Sequence, residues 1–176
     1  LGNESAQLVE VLNRWPAPAE AHDLAPPELR NIIHRWQELL QPNVNDGVYR
    51  CGFARNQAAY NRAVTALFAA LDQVESSLGQ SGPWLCGDRI TLADVRLFPT
   101  LIRWEMVYAP LFGCSQRPLW QFPKLLDWRR RLYRQPGVQA SCDAEAWRHD
   151  YFGALFPLNP GGIVPTGPDL TTLVSS

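Results

Sequence analysis

The chain has 176 residues, 46% of them apolar, with seven tryptophans and a net charge of -1. That is enough polypeptide to bury the core of one sizeable domain, and the near-balanced charge excludes the clustered excess of Lys and Arg that a nucleic-acid surface needs. No apolar run approaches the ~18 residues of a bilayer span, and no basic segment followed by an apolar block marks a secretory leader.

Taken in order, Asn3-Glu4-Ser5 leads directly into a short helical stripe of Leu8, Val11 and Leu12. Trp15-Pro16-Ala17-Pro18 breaks it, and a linker follows to Pro26-Pro27. Pro27 can open a helix, since its missing N–H costs nothing in the first turn. Leu29, Ile33, Trp36 and Leu40 mark one face of that helix, and Pro42 is expected to end it. Residues 43–52 are rich in Asn, Asp and Gly and predict a turn-containing loop. The loop delivers Tyr49 and Phe53 either to a functional site or to the plugged end of a bundle.

The clearest helix covers residues 56–78. Tyr60, Val64, Leu67, Leu71, Val74 and Leu78 recur at steps of three and four, so one side must be buried. Gly79 and Gly82-Pro83 stop it. Thr91 is placed to cap the next helix, with Asp94 returning a bond to the Thr91 N–H and Ile90 meeting Val95 as a hydrophobic staple. Pro99 inside this helix predicts a kink, with space opened beside Arg103, Trp104, Met106 and Tyr108.

Pro123 starts a helix whose inner face is Leu125, Trp128 and Leu132. Arg129-Arg130-Arg131 reads as its solvated side. Asp143 caps a last short helix through Trp147. From Tyr151 an apolar coil is expected to lie back across the helices, and residues 170–176 to fray. With so few candidate strands, an all-α bundle is the simplest architecture.

Cys51, Cys86, Cys114 and Cys142 lack CxxC spacing, and His22, His34 and His149 form no zinc pattern with them. The thiols are expected to be reduced, in a cytoplasmic setting, and to pack as small hydrophobes. No metal, haem or nucleotide motif stands out, and no residue reads as a self-sufficient catalytic nucleophile. Cys51 lacks both a CxxC partner and a clear helix start to lower its pKa.

Several segments resemble a known family. Asp88-Arg89-Ile90-Thr91-Leu92-Ala93-Asp94 resembles the capping segment of glutathione transferase helical domains. More specifically, Asn45-Asp46-Gly47-Val48-Tyr49-Arg50-Cys51-Gly52-Phe53-Ala54 resembles a loop of glutathionyl-hydroquinone reductases. The stretches Asp94-Val95-Arg96-Leu97-Phe98, Arg103 with Val107-Tyr108, His149 to Gly153 and Asn159 to Pro168 are similar to the same family, in the same order.

The resemblance implies an all-α glutathione S-transferase C-terminal bundle with an ordered C-terminal coil. Residues 1–5 would be the trailing edge of a thioredoxin-like domain, 6–169 the helical domain and 170–176 a flexible tail. The preceding domain would carry the catalytic cysteine and most of the glutathione site. Glu4 and Ser5 would hold the glutamyl end of glutathione, a role that suits an acid facing an ammonium and a helix start facing a carboxylate. Tyr49, Tyr108 and Tyr151 would line a quinone pocket. Arg50 and Arg103 would stabilise negative charge, or pair with Asp46 and Glu105.

The chain departs from the family at Asp150, Phe152, Ala154 and Leu155, where polar handles are usual. The implied partners are glutathione, aromatic quinone conjugates and a second copy in a homodimer. The alternative is a non-catalytic module that uses the same helical surface to bind proteins.

Overall fold

The computed structural model describes residues 5–15, 22–155 and 157–175, the side chains of residues 5–7 excepted. Among them the chain is helical, with one isolated bridge between Trp84 and Gly87. Its centre is α4 (Gln57–Gln80), capped by Asn56, whose side chain accepts from the Ala59 N–H. The expected stripe from Val64 to Leu78 is buried, with Phe68 and Ala70 added to it. Tyr60 is only half-buried and spends its hydroxyl on the Gly113 carbonyl at 2.7 Å.

Helix α1 (Ser5–Asn13) is joined to the bundle through Asn13. The Asn13 side chain donates to Asp23 and accepts from the Leu24 N–H. The Leu24 carbonyl in turn accepts from Leu92. The apolar stripe of α1 is largely uncovered, with Leu8, Val11 and Leu12 at 38%, 50% and 66% exposure.

Pro27 opens a 3-10 turn, Pro27–Leu29, that leads into α2 (Arg30–Leu40). Ile33 and Leu40 are buried, and Trp36 donates its indole N–H to the Leu85 carbonyl. Pro42 does not end the path of the helix. The backbone widens into a π turn at Gln41–Asn45, closed by the Asp46 N–H on the Gln41 carbonyl, and runs on into α3 (Gly47–Gly52). The expected loop over 43–52 is therefore mostly helical: an i→i−5 turn absorbs the proline that an α-helix rejects. Gly47 is buried there, and a Cβ on it would lie 3.7 Å from a Leu67 methyl.

Helix α5 (Leu92–Ile102) starts as expected at the Thr91–Asp94 capping box. Asp94 is fully buried and accepts four hydrogen bonds: from the Thr91 N–H and hydroxyl, the Leu85 N–H, and the Trp128 indole at 2.8 Å. Burial pushes its pKa up, against the pull of those donors. The helix continues through Pro99 and then widens at Trp104–Tyr108 into a second π turn. The wide turn swings Trp104, Met106 and Tyr108 into the core, and a cleft of about 660 Å³ opens beside Trp104 and Glu105. Helix α6 (Ala109–Phe112) follows and ends at Gly113, whose φ of 68° is the left-handed conformation that favours glycine.

Helix α7 (Pro123–Tyr133) is seated on α4 by Glu75, whose carboxylate accepts from the Lys124 and Leu125 N–H groups. The arginine run is not all solvated. Arg129 is 1% exposed and bonds Glu105 and the carbonyls of Leu101 and Leu173. Helix α8 (Ala144–Ala154), capped by Asp143, is longer than the sequence predicts, so Tyr151 sits on a helix and not in a coil. The coil that follows is pinned by Asn159, which donates to the Phe152 and Ile163 carbonyls. The expected frayed end forms α9 (Leu170–Ser175) instead, because Leu170 and Val174 find core contacts against α7.

Candidate functional site

Three helical segments each deliver one phenol to a common point. Tyr49 comes from α3, Tyr108 from the end of the second π turn, and Tyr151 from α8. The Tyr49 and Tyr151 oxygens lie 2.7 Å apart, Tyr108 and Tyr151 3.0 Å, and Tyr49 and Tyr108 3.5 Å. Each phenol has one proton to donate. The three protons can close the ring, with the 3.5 Å edge as its weakest bond. A ligand oxygen can therefore accept a hydrogen bond from this cluster at the cost of the poorest bond in it.

Phe112 is the platform beneath. Its ring centroid is 5.3 Å from that of Tyr49, 5.4 Å from Tyr108 and 6.0 Å from Tyr151. Gly52 makes the approach of α3 possible, since a Cβ there would sit 2.6 Å from the Phe112 ring. Sequence reading missed both residues. The available signal was spacing: Tyr108 and Phe112, like Tyr49 and Phe53, are four apart and share a helix face.

Access is unequal. Tyr49 is 39% exposed, whereas Tyr108 is 2% exposed and reaches the cluster from below. Burial, followed by the bonds from Tyr151 and Tyr49, pushes the Tyr108 pKa far above the ordinary phenol value, and burial raises Tyr151 as well. Both are neutral hydrogen-bonding groups and not phenolates at neutral pH.

This has a measurable consequence. Unfolded tyrosines ionise near pH ~10, while folded Tyr108 and Tyr151 hold their protons beyond it. Their contribution to stability is present below that pH and is lost as pH rises through the folded pKa values. Alkaline absorbance titration should show fewer tyrosinates in the folded chain than in denaturant at the same pH. The melting temperature should fall above pH ~10, and fall less in Tyr108→Phe.

Arg103 stands behind the cluster. It donates to the Pro99 carbonyl at 2.8 Å and lies 4.6 Å over the Trp147 ring. Its positive charge pulls down on Tyr151, against burial. It does not pair with Glu105, which Arg129 occupies. The Arg50 side chain is exposed and makes no ion pair with Asp46, whose carboxylate accepts from Gln41. Ser5 opens α1, while Glu4 lies outside the described residues.

Cys51 is buried at 3% exposure and hydrogen-bonded to Cys114, which lowers its pKa. Packed this way, it presents no sulfur to a ligand. Phe152 is buried in the core, and Asp150 and Ala154 are exposed. Among the described residues no group of three or more His, Cys, Asp or Glu could hold a metal, and no helix is long and apolar enough to cross a membrane.

A groove of about 940 Å³ runs from Asp46 and Tyr49 along the first half of α4, with the Tyr49 phenol as the wall it shares with the cluster.

The helical architecture is like that of glutathione S-transferase C-terminal bundles, and the family model for the glutathione S-transferase C-terminal domain matches residues 57–131. Within that class the chain is related to glutathionyl-hydroquinone reductases. It is 38% identical over 170 residues to the reductase PcpF of Sphingobium chlorophenolicum, covering 96% of this chain and 54% of that protein. To the reductase YqjG of Escherichia coli it is 35% identical over 170 residues, covering 96% and 52%. The glutathione-bound structure of YqjG matches with a TM-score of 0.89 at 35% identity, over 97% of this chain and 56% of that one. The chain thus spans about half the length of the curated relatives it matches.

Proposed function

We propose that this chain is the helical, substrate-holding half of a glutathione-dependent reductase that removes glutathione from glutathionyl-hydroquinones. The observation that carries this reading is the convergence of three phenols, one of them exposed, at a point reached from three separate elements. Such a cluster can hydrogen-bond a hydroquinone oxygen while its rings pack against the aromatic face.

The nucleophile of this reaction is a cysteine thiolate in a thioredoxin-like domain N-terminal to this chain. It attacks the glutathione sulfur of the conjugate. The aryl carbon leaves with the bonding pair and takes up a proton, giving free hydroquinone and an enzyme–glutathione mixed disulfide. A second glutathione thiolate then attacks that disulfide, releasing oxidised glutathione and the starting thiolate. Glu4 and Ser5 hold the glutamyl end of glutathione. The tyrosines position the ring, where a small displacement costs much rate. The uncovered stripe of α1 supports a domain packed on that side, since contiguous exposed apolar residues mark a contact surface. A homodimer built through the helical domains belongs to the same reading.

The test uses the chain alone. Incubated with glutathione and glutathionyl-hydroquinone, it should give no free hydroquinone by chromatography, yet it should bind the conjugate in a fluorescence titration. Tyr49→Phe and Tyr151→Phe should each weaken that binding about tenfold, the worth of one hydrogen bond. Turnover by the chain alone, or unchanged affinity in both variants, would overturn the reading.

A further inference from the structure

The groove beside Tyr49 has a character that the phenol cluster does not explain. Its floor is the small-residue face of α4, made by Ala59, Ala63 and Ala66. Steps of four and three put these on one side of the helix and leave a shallow apolar strip. Tyr49 and Phe53, 39% and 45% exposed, form its aromatic wall.

The rim is cationic. Arg50, Arg55 and Arg62 all line the groove, and none of their guanidiniums has a hydrogen-bonding or ionic partner among the described residues. This contrasts with Arg14, Arg89, Arg117, Arg129 and Arg130, each of which has a carboxylate. The one acid in the lining, Asp46, already accepts from Gln41. Asn56, the N-cap of the 24-residue α4, lines the same groove, so the positive end of that helix adds to the field.

We propose that this groove binds an aromatic acid: a flat ring against the alanine strip and the aromatic wall, with a carboxylate or sulfonate held by Arg55 and Arg62. Guanidinium is permanently charged and matches such planar or tripodal anions with parallel N–H donors. The volume of about 940 Å³ is within the range of small-ligand clefts. The inference rests on the proposed function in one respect, because Tyr49 is shared. A hydroquinone whose hydroxyl meets the phenols presents its ring substituents toward the arginines. The preferred hydroquinones would then be those carrying an acidic group.

The experiment compares two probes on the chain by calorimetric or NMR titration: hydroquinone, and 2,5-dihydroxybenzoate, which is hydroquinone with one carboxylate. At low salt the carboxylated probe should bind about tenfold more tightly, and the advantage should shrink at high salt as screening sets in. Arg55→Gln and Arg62→Gln should each reduce the advantage and together abolish it, leaving hydroquinone binding unchanged. Tyr49→Phe should weaken both probes equally.

Equal affinity for the two probes, or an advantage that survives the double arginine variant, would overturn the proposal and leave the tyrosine reading in place. If hydroquinone fails to bind while the carboxylated probe still binds through the arginines, the tyrosine reading fails and the anion selectivity of the groove stands.

Discussion

Asp94→Ala should leave the chain largely unfolded at temperatures where the parent is stable. The carboxylate is fully buried and accepts from the Leu85 and Thr91 N–H groups, the Thr91 hydroxyl and the Trp128 indole. Alanine strands at least the two backbone donors and the indole, and each unsatisfied buried group costs about 1–3 kcal/mol. Together with the lost cap and the small cavity, a loss of roughly 4 kcal/mol or more is expected, a large share of the ~5–15 kcal/mol that holds a domain together. Asp94→Asn keeps the volume and one acceptor oxygen. It turns an amide N–H₂ toward either the Thr91 or the Trp128 side, so its cost should be smaller, about 2–3 kcal/mol. Denaturant titration followed by circular dichroism and tryptophan fluorescence would order the three proteins. An Asp94→Ala variant within 1 kcal/mol (roughly the error of such comparisons) of the parent would show that the donors find other acceptors.

Asp94 was also the residue most legible in the sequence, because its main bond partner is three positions away and its pattern is local. The stripe of α4 was legible for the same reason: a 3.6-residue period needs no knowledge of what covers it. The π turns were not legible. Proline at 42 forbids an ordinary helical bond, and nothing local says whether the chain stops or widens; that is decided by the packing of α3 on α4. Tyr151 lies on a helix and not in the expected coil because Phe152 is buried and Tyr151 packs against the core, and neither is visible in the local sequence.

The site shows the same division. Its phenols are separated by 59, 102 and 43 residues, and no spacing rule reaches that far. Motif similarity alone singles them out, and the fold brings their oxygens together. Phe112 has only its four-residue spacing from Tyr108 to mark it in the sequence, and the role of Gly52 follows only from α3 and α6 being pressed against each other. The arginines of the groove belong to the same group. Arg50, Arg55 and Arg62 are scattered single charges in the sequence, and only the run from α3 into α4 lines them along one cavity.

Glu105→Ala should be the second severe substitution, and its severity should come from the residue left behind. Arg129 has a side chain only 2% exposed and places one guanidinium nitrogen 2.6 Å from Glu105, whose side chain is 24% exposed. The same arginine bonds the Leu101 carbonyl at the end of α5 and the Leu173 carbonyl in α9. It therefore joins the π turn that carries Tyr108 to two other elements. Removing one partner of a buried pair costs about 3–5 kcal/mol, because the remaining charge stays desolvated without compensation. Partial exposure of Glu105 lets water recover some of this, so about 2–4 kcal/mol is expected. The pair is imperfect already, since the Arg129 Nε has no hydrogen-bond partner. Replacing both residues together, as Glu105→Leu with Arg129→Met, removes the desolvated charge as well as its partner. The double variant should be more stable than Glu105→Ala alone, by about 1 kcal/mol or more. Thermal melts of the parent, Glu105→Leu, Arg129→Met and the double variant form the cycle, with Glu105→Ala measured beside them. If the double variant were less stable than Glu105→Ala, the pair would be holding the Tyr108 turn by attraction, and not merely neutralising a charge that the fold has buried.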